Sequence, residues 1–257
     1  MNLAAQLQIL IAKDPQRLRI LQQVRELDLP DCWVAAGFVR SAVWDHLHQR
    51  TPAQLPEDID VIWFDRCQPS SARDAELETI LRQQDESLQW SVKNQARMHL
   101  RNGDAPYTSA TEAMRYWPET ATAVAVRLDE QDRLEVAAPL GLEDLFDLVV
   151  RPAGRFKGKK QPIYQQRLRD KNWLAIWPKL KVLTGGSRFI DPPCGGCKER
   201  HPPDDRNTEV GASAATIAAA TAWMQEVERS RMPEPKAAPT KLATCPPAGD
   251  IKRESNL

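Results

Sequence analysis

No run of apolar residues in this 257-residue chain approaches the roughly 18 needed to cross a bilayer, so no membrane span is expected. Charge of one sign is missing too. The chain carries 35 Lys and Arg against 35 Asp and Glu, and the balance holds separately in residues 1–183 (25 and 25) and 184–257 (10 and 10). A broad basic face for nucleic acid is therefore not expected, although local basic clusters leave room for one. The five Cys, an odd number at scattered spacings, fit the reduced thiols of a cytoplasmic protein better than a disulfide framework. The opening Met1-Asn2-Leu3-Ala4-Ala5-Gln6 lacks the basic start of a secretory signal and is spaced as an amphipathic helix.

What the chain does have is unevenly spread. Seven of its eight Trp and all three Tyr precede Leu183, whereas nine of its 20 Pro lie in the 74 residues after it. The first part can build a core. Two units are expected: a domain over residues 1–182, and a low-order tail rich in Pro, Gly and Ala over 183–257, disordered apart from one helix at 212–231. Thr184-Gly185-Gly186-Ser187 reads as a linker. Cys194-Gly195-Gly196-Cys197 with His201 has only part of the four-ligand set a closed zinc site needs, so it is not read as one.

Helical spacing runs from Leu3 to Ile11 and from Pro15 to Leu27. Trp33-Val34-Ala35-Ala36 reads as a strand ending at Gly37, followed by a helix from Val39 to Leu47. Asp58 to Asp65 is a second strand, Ala72 to Asp85 a helix and Trp90 to Asn94 a third strand. Thr108 to Trp117 is helical, Thr120–Leu128 and Arg133–Ala137 form a hairpin, and helices over Leu142–Val149 and Tyr164–Trp177 close the domain. Strands and helices interleave while a hairpin joins two strands. The fold class is thus α/β, with α+β as the alternative, and the sheet is mixed with helices mainly on one face.

Asp58 and Asp60 are the most informative pair. Two residues apart on a strand, they share a face, with Cα atoms about 6.5–7 Å apart. Both carboxylates can converge on a hard cation such as Mg²⁺, which keeps several waters and is completed by phosphate oxygens. The alternative is a strand start that faces water. Upstream, Ala36-Gly37-Phe38-Val39-Arg40 joins a strand to a helix. Glycine there lets backbone approach a phosphate, the helix N-terminus offers free N–H groups to an anion, and Arg40 adds a cation. Arg151, Arg155, Lys157, Lys159 and Lys160 form a basic cluster, read equally as a polynucleotide-contacting loop or a solvated one.

Strand, small-Gly turn, Val-Arg, helix and Asp-Ile-Asp, in that order, are similar to the core of the polymerase-β-type nucleotidyltransferase superfamily, including the Gly-Gly-x-Val-Arg-Asp signature of its tRNA-processing members. The chain resembles more closely a bacterial family of minimal nucleotidyltransferases. The motifs are Gly37-Phe38-Val39-Arg40, Asp58-Ile59-Asp60-Val61, Trp90 to His99, Pro118 to Ala123 and Gly141-Leu142-Glu143-Asp144-Leu145-Phe146. They span roughly residues 1–182.

The resemblance implies a polymerase-β-type nucleotidyltransferase fold. It also implies transfer of a nucleoside monophosphate from a nucleoside triphosphate to an unknown acceptor, with two Mg²⁺ held by Asp58 and Asp60. Gly37, Arg40, Lys93, Asn94 and Arg97 are implied to bind the nucleotide. The superfamily usually adds a third carboxylate from a neighbouring strand, and here Asn94 stands where an acid is expected, with Glu119 as a substitute. Ala36 replaces the first Gly of the tRNA-processing signature and Ser41 its Asp, so tRNA specificity is not carried over. The competing reading is a module that binds nucleotides, or another partner, without catalysis.

Overall fold

The structure, a computed structural model, describes residues 2–184 and 188–190. Helix α1 (Leu3–Ala12) begins where the Asn2 side chain accepts a hydrogen bond from the Ala5 N–H. In α2 (Pro15–Arg25), Asp14 accepts from the Gln16 and Arg17 N–H groups, and Pro15 occupies the first turn, where its missing N–H is no loss. Next come β1 (Trp33–Ala35), α3 (Gly37–Leu47), β2 (Asp58–Trp63), α4 (Ser71–Gln84) and β3 (Gln89–Asn94). Two short helices, α5 (Met98–Asn102) and α6 (Ala110–Met114), lead to the hairpin β4 (Ala125–Leu128) and β5 (Leu134–Ala137). The remaining elements are α7 (Glu143–Phe146), β6 (Val149–Val150), α8 (Gln161–Lys171), α9 (Trp173–Ile176), β7 (Lys181–Thr184) and β8 (Arg188–Ile190).

Five strands form a mixed sheet in the order β3-β2-β1-β4-β5, in which β2 and β3 are parallel and the other pairs antiparallel. Period-two alternation gives it two different faces. One presents Val34, Ile59, Val61, Trp63, Trp90, Val92 and Val126 to a core that includes Leu7, Ile11, Leu21, Val39, Trp44, Leu77 and Leu81 from the first four helices. Each buried Trp contributes about 4–6 kcal/mol of gross transfer free energy by area, which is why the helices gather there. The other face carries Trp33, Ala35, Ile62, Ala125 and Ala137, covered in part by Ala110 and Met114 of α6. Helices mainly on one face of a mixed sheet is the expected arrangement.

Three element assignments differ from the sequence reading. The segment read as one helix over Leu142–Val149 is the short α7, broken at Leu148 (φ 58°), after which the β-branched Val149-Val150 pairs parallel with β7. The segment Tyr164–Trp177 is two helices, because Asn172, a residue that tolerates the left-handed region, adopts φ 44°. Thr120 to Thr122, read as strand, is a 3₁₀ turn before β4. A smaller sheet of β6, β7 and β8 continues to Ile190, on either side of the segment read as a linker. The expected helix at 212–231, the Cys194–His201 segment and the rest of 191–257 lie outside the described residues. Cys32 carries a free thiol, whereas Cys67 is disulfide-bonded, so reduced thiols are found at the first and not the second. Among the described residues no helix is long and apolar enough to cross a membrane.

Candidate active site

The register of β1 and β2 builds the site. Asp60 stands opposite Ala35 and the ladder runs antiparallel, so Asp58 lies alongside the turn through Ala36 and Gly37 that opens α3. Ile59 and Val61 fill the core, and alternation turns Asp58 and Asp60 to the opposite face, the one that carries Ala35 and Ala125. Asp58 is exposed and Asp60 half-buried. Burial, together with the negative charge of Asp58, pushes the Asp60 carboxyl up to about 6, while Arg167, Arg40 and Lys171 pull the other way. A carboxylate whose ionisation is opposed by burial and by a second acid suits a cation beside it.

The turn holds a surprise. The left-handed backbone falls on Ala36 (φ 51°, ψ −113°), one residue before the glycine. Its N–H donates to the Val124 carbonyl at 2.9 Å and its carbonyl accepts from the Arg40 N–H at 2.9 Å, so both ends of a strained residue are fixed. Gly37 is required for closeness instead. A Cβ there would lie 3.1 Å from Pro56 Cβ and 3.7 Å from an Arg40 terminal nitrogen. No side chain caps the start of α3, which leaves its first N–H groups to an anion.

Arg40 is the most unusual group in the site. It is 7% exposed, with its guanidinium 5.2 Å from the Trp44 ring centroid and 4.6 Å from that of Trp173. Its Nε has no hydrogen-bond partner, and among the described residues no carboxylate forms an ion pair with it. Burial, and then the neighbouring Arg167, pull it down to about 10, partly offset by Glu119, Asp60 and Asp58. A guanidinium with unused donors in a dry setting is unfavourable unless an anion completes it.

Behind α3, the fully buried Arg17 donates through Nε to the Phe38 carbonyl (3.2 Å) and through a terminal nitrogen to Ser41 Oγ (3.1 Å) and the Gln54 carbonyl (2.8 Å). It ties the first turn of α3 to the loop that delivers β2. Ser41, which replaces an Asp of the tRNA-processing signature, is thus part of this brace.

Lys93, Asn94 and Arg97 sit elsewhere. In the parallel β2–β3 ladder Asp60 lies beside Ser91, whereas Lys93 lies beside Ile62 and Asn94 beside Trp63. Lys93 shares the face of Asp60 one row further along, and its ammonium is tied to Glu78 at 2.8 Å. Asn94 points to the opposite, buried face. Its Oδ1 accepts from the Asp65 and Ala96 N–H groups, and its Nδ2 donates to the Asp65 and Gln68 carbonyls. Arg97 pairs with the buried Asp74, which also accepts from Trp63 Nε1 and the Asn94 N–H. The structure therefore brings Asp58, Asp60, Gly37 and Arg40 together and leaves Lys93, Asn94 and Arg97 in a structural network at the far end of β3. An acid at position 94 would have faced away from the aspartates.

Glu119 is completely buried, and both its oxygens are engaged, Oε1 by Arg167 Nε at 2.8 Å and Oε2 by Thr122 Oγ1 at 2.9 Å. Among the described residues no group of three or more His, Cys, Asp or Glu is arranged to hold a metal ion. Of the basic cluster, Arg151 pairs with Asp144, Arg155 with Asp104, and Lys160 donates to the Asn102 carbonyl. Those three stitch the loop to its neighbours. Sequence reasoning missed Arg167. Its position on α8 carries no local signature, and only the fold brings it to Glu119 and to the Trp173 ring that it shares with Arg40.

A family described as Nucleotidyltransferase matches residues 22–182. A solved NMR structure described as revealing a CCA-adding enzyme head domain is 37% identical, covering 70% of this chain and 95% of that chain, with a TM-score of 0.64. A CCA-adding enzyme in complex with CTP is 16% identical (70% of this chain, 43% of that chain, TM-score 0.46). The Thermotoga maritima CCA-adding enzyme with tRNA is 17% identical (70% and 42%, TM-score 0.44). The chain spans less than half the length of these two larger enzymes. No curated protein matches it.

Proposed function

Because the chain belongs to the nucleotidyltransferase family, we propose that it moves a nucleoside monophosphate from a nucleoside triphosphate to an acceptor hydroxyl, with Asp58 and Asp60 as the metal-holding pair and Gly37 and Arg40 at the phosphates. The observation that carries this reading is the buried guanidinium of Arg40, without an ion-pair partner among the described residues, beside the uncapped start of α3 and the aspartate pair. A polyphosphate would accept from the first two, and Asp58 and Asp60 would hold the metal ion that accompanies it.

The residues fit Mg²⁺. A pair of oxygen donors is enough when substrate phosphates complete the octahedron. Mg²⁺ held there would supply activation of the acceptor hydroxyl and charge stabilisation of the leaving pyrophosphate. The chain's own contribution is orientation. The α3 N–H groups and Arg40 hold the phosphates against the turn, where Gly37 lets Pro56 approach closely.

A second reading, a module that binds nucleotide without turning it over, is favoured by one observation: Glu119, the remaining candidate for a third acid, is committed to Arg167 and Thr122. Titration calorimetry with ATP and CTP, with and without Mg²⁺, combined with a pyrophosphate-release assay, separates the two. Metal-dependent binding with pyrophosphate release in the presence of an acceptor pool supports transfer. Binding without release supports the module, and no binding removes both.

A further inference from the structure

Helix α8 brings to this site an arginine that neither the motif pattern nor the nucleotide reading requires. Arg167 is held through one nitrogen only, its Nε, which donates to Glu119 Oε1 at 2.8 Å. A guanidinium has five N–H donors. Among the described residues, no acceptor takes the four on the terminal nitrogens. The side chain keeps 27% of its surface exposed, so these donors remain reachable, while Glu119 beneath is fully buried and fixed on its other oxygen by Thr122.

Arg167 and Arg40 also share an aromatic surface. The Trp173 ring, itself 3% exposed, has the Arg40 guanidinium 4.6 Å from its centroid and that of Arg167 at 5.9 Å. Two like charges are thus gathered around one indole, with one carboxylate, that of Glu119, hydrogen-bonded to one of them. Cation–π attraction of about 0.5–2 kcal/mol per pair helps to hold each in place. It does not neutralise them. A surplus of oriented donors beside the Gly37 turn and the aspartate pair is a receptor for several phosphate oxygens at once.

We infer that Arg167 is a second phosphate-contacting residue of the nucleotide site, that Glu119 is its positioning residue rather than a metal ligand, and that the Arg40–Arg167 pair makes the site select ligands carrying a chain of phosphates over nucleosides and monophosphates. This rests on the nucleotide reading above.

The test is titration calorimetry of the full chain in Mg²⁺ with ATP, AMP and inorganic tripolyphosphate, on wild type, Arg167→Gln and Arg167→Lys. Wild type is expected to bind ATP and tripolyphosphate and to bind AMP at least tenfold more weakly. Arg167→Gln should lose about tenfold or more toward ATP and tripolyphosphate, with AMP affinity little changed. Arg167→Lys, which keeps the charge but lacks the fork, should fall between and serves as the test if Arg167→Gln does not fold. Wild-type affinity for ATP in Arg167→Lys and, where it folds, in Arg167→Gln overturns the inference and leaves the nucleotide reading standing. An equal loss toward AMP and ATP also overturns it, because that marks general damage to the pocket. Failure of the wild-type protein to bind any of the three removes both.

Discussion

Asp60 stands directly across the β1–β2 ladder from Ala35, so the strand that carries the acidic pair and the turn that leads to Arg40 are neighbours within one residue. Negative and positive halves of the site are joined by backbone hydrogen bonds rather than by loops. That geometry makes the charge at residues 58 and 60 separable from the fold.

In metal-free protein, Asp58→Asn should stabilise the fold slightly at pH 7, by less than about 1 kcal/mol because Asp58 is exposed and screened, while weakening Mg²⁺-dependent nucleotide binding. The Asp60 carboxyl, at about 6 in the folded state against a usual 3.8, binds its proton more tightly when folded. Wild type should therefore gain stability relative to Asp60→Asn as the pH falls from 7 toward 4, whatever the acid-side loss from the lowered carboxyls of Asp85, Glu112 and Asp129 that both proteins share. Thermal unfolding in a chelator across this range reads the sign. A difference in melting temperature between wild type and Asp60→Asn that stays constant over these pH values contradicts the assignment.

Ala36→Gly should stabilise the protein by about 1 kcal/mol, a rise of about 2–4 °C in melting temperature, because φ 51° is strained for alanine and free for glycine. Gly37→Ala should act in the other direction. Its Cβ would lie 3.1 Å from Pro56 Cβ, closer than ordinary contact, and should lower stability. Equal effects from the two substitutions would show that the turn is not built as described.

Arg40→Met keeps a long side chain between Trp44 and Trp173 and removes a charge that lacks an ion-pair partner among the described residues. Replacing an uncompensated buried charge by an apolar side chain of similar length is neutral to stabilising by about 1–3 kcal/mol. Binding of triphosphate should fall at least tenfold. A clear loss of stability with unchanged binding would mean that Arg40 is a structural stacking residue and nothing more.

Much of this was legible in the sequence because it depends on local periodicity. The Asp-Ile-Asp alternation fixes which face the carboxylates share, and a strand, a small-residue turn and a helix fix where Arg40 sits. What was not legible depends on parity and on distant packing. Asn94 follows Val92 by two residues and so shares its buried face, which a linear motif conceals. Glu119 looks like a spare acid until Arg167, 48 residues later, takes one of its oxygens. Residue Leu148 gives no sign of its positive φ, because its conformation is imposed by the pairing of Val149 and Val150 with β7. The family match likewise begins at residue 22 and so omits Arg17, whose buried guanidinium braces α3 from behind.

Asn94 supplies the sharpest contrast between a residue that holds the fold and one that holds a ligand. Its side chain makes four hydrogen bonds, all to backbone groups, at 2.8 to 3.2 Å. Every donor and both acceptor positions of the amide are in use, so a nucleotide could reach it only by displacing the Asp65–Gln68 segment. Asn94→Ala strands these backbone groups at a fully buried position and should cost about 2–4 kcal/mol of stability. Nucleotide affinity, measured well below the lowered melting temperature, should stay within about twofold of wild type, because the site at Asp58, Asp60 and Arg40 is built from other contacts. Asn94→Asp is the companion variant. It keeps the two acceptor bonds and loses the two donated ones, so an intermediate loss of stability is expected, with no gain in metal affinity, since the new carboxylate faces the core side of the sheet. A large rise in Mg²⁺ affinity in Asn94→Asp would place residue 94 beside the aspartate pair and overturn the register argument on which the site rests.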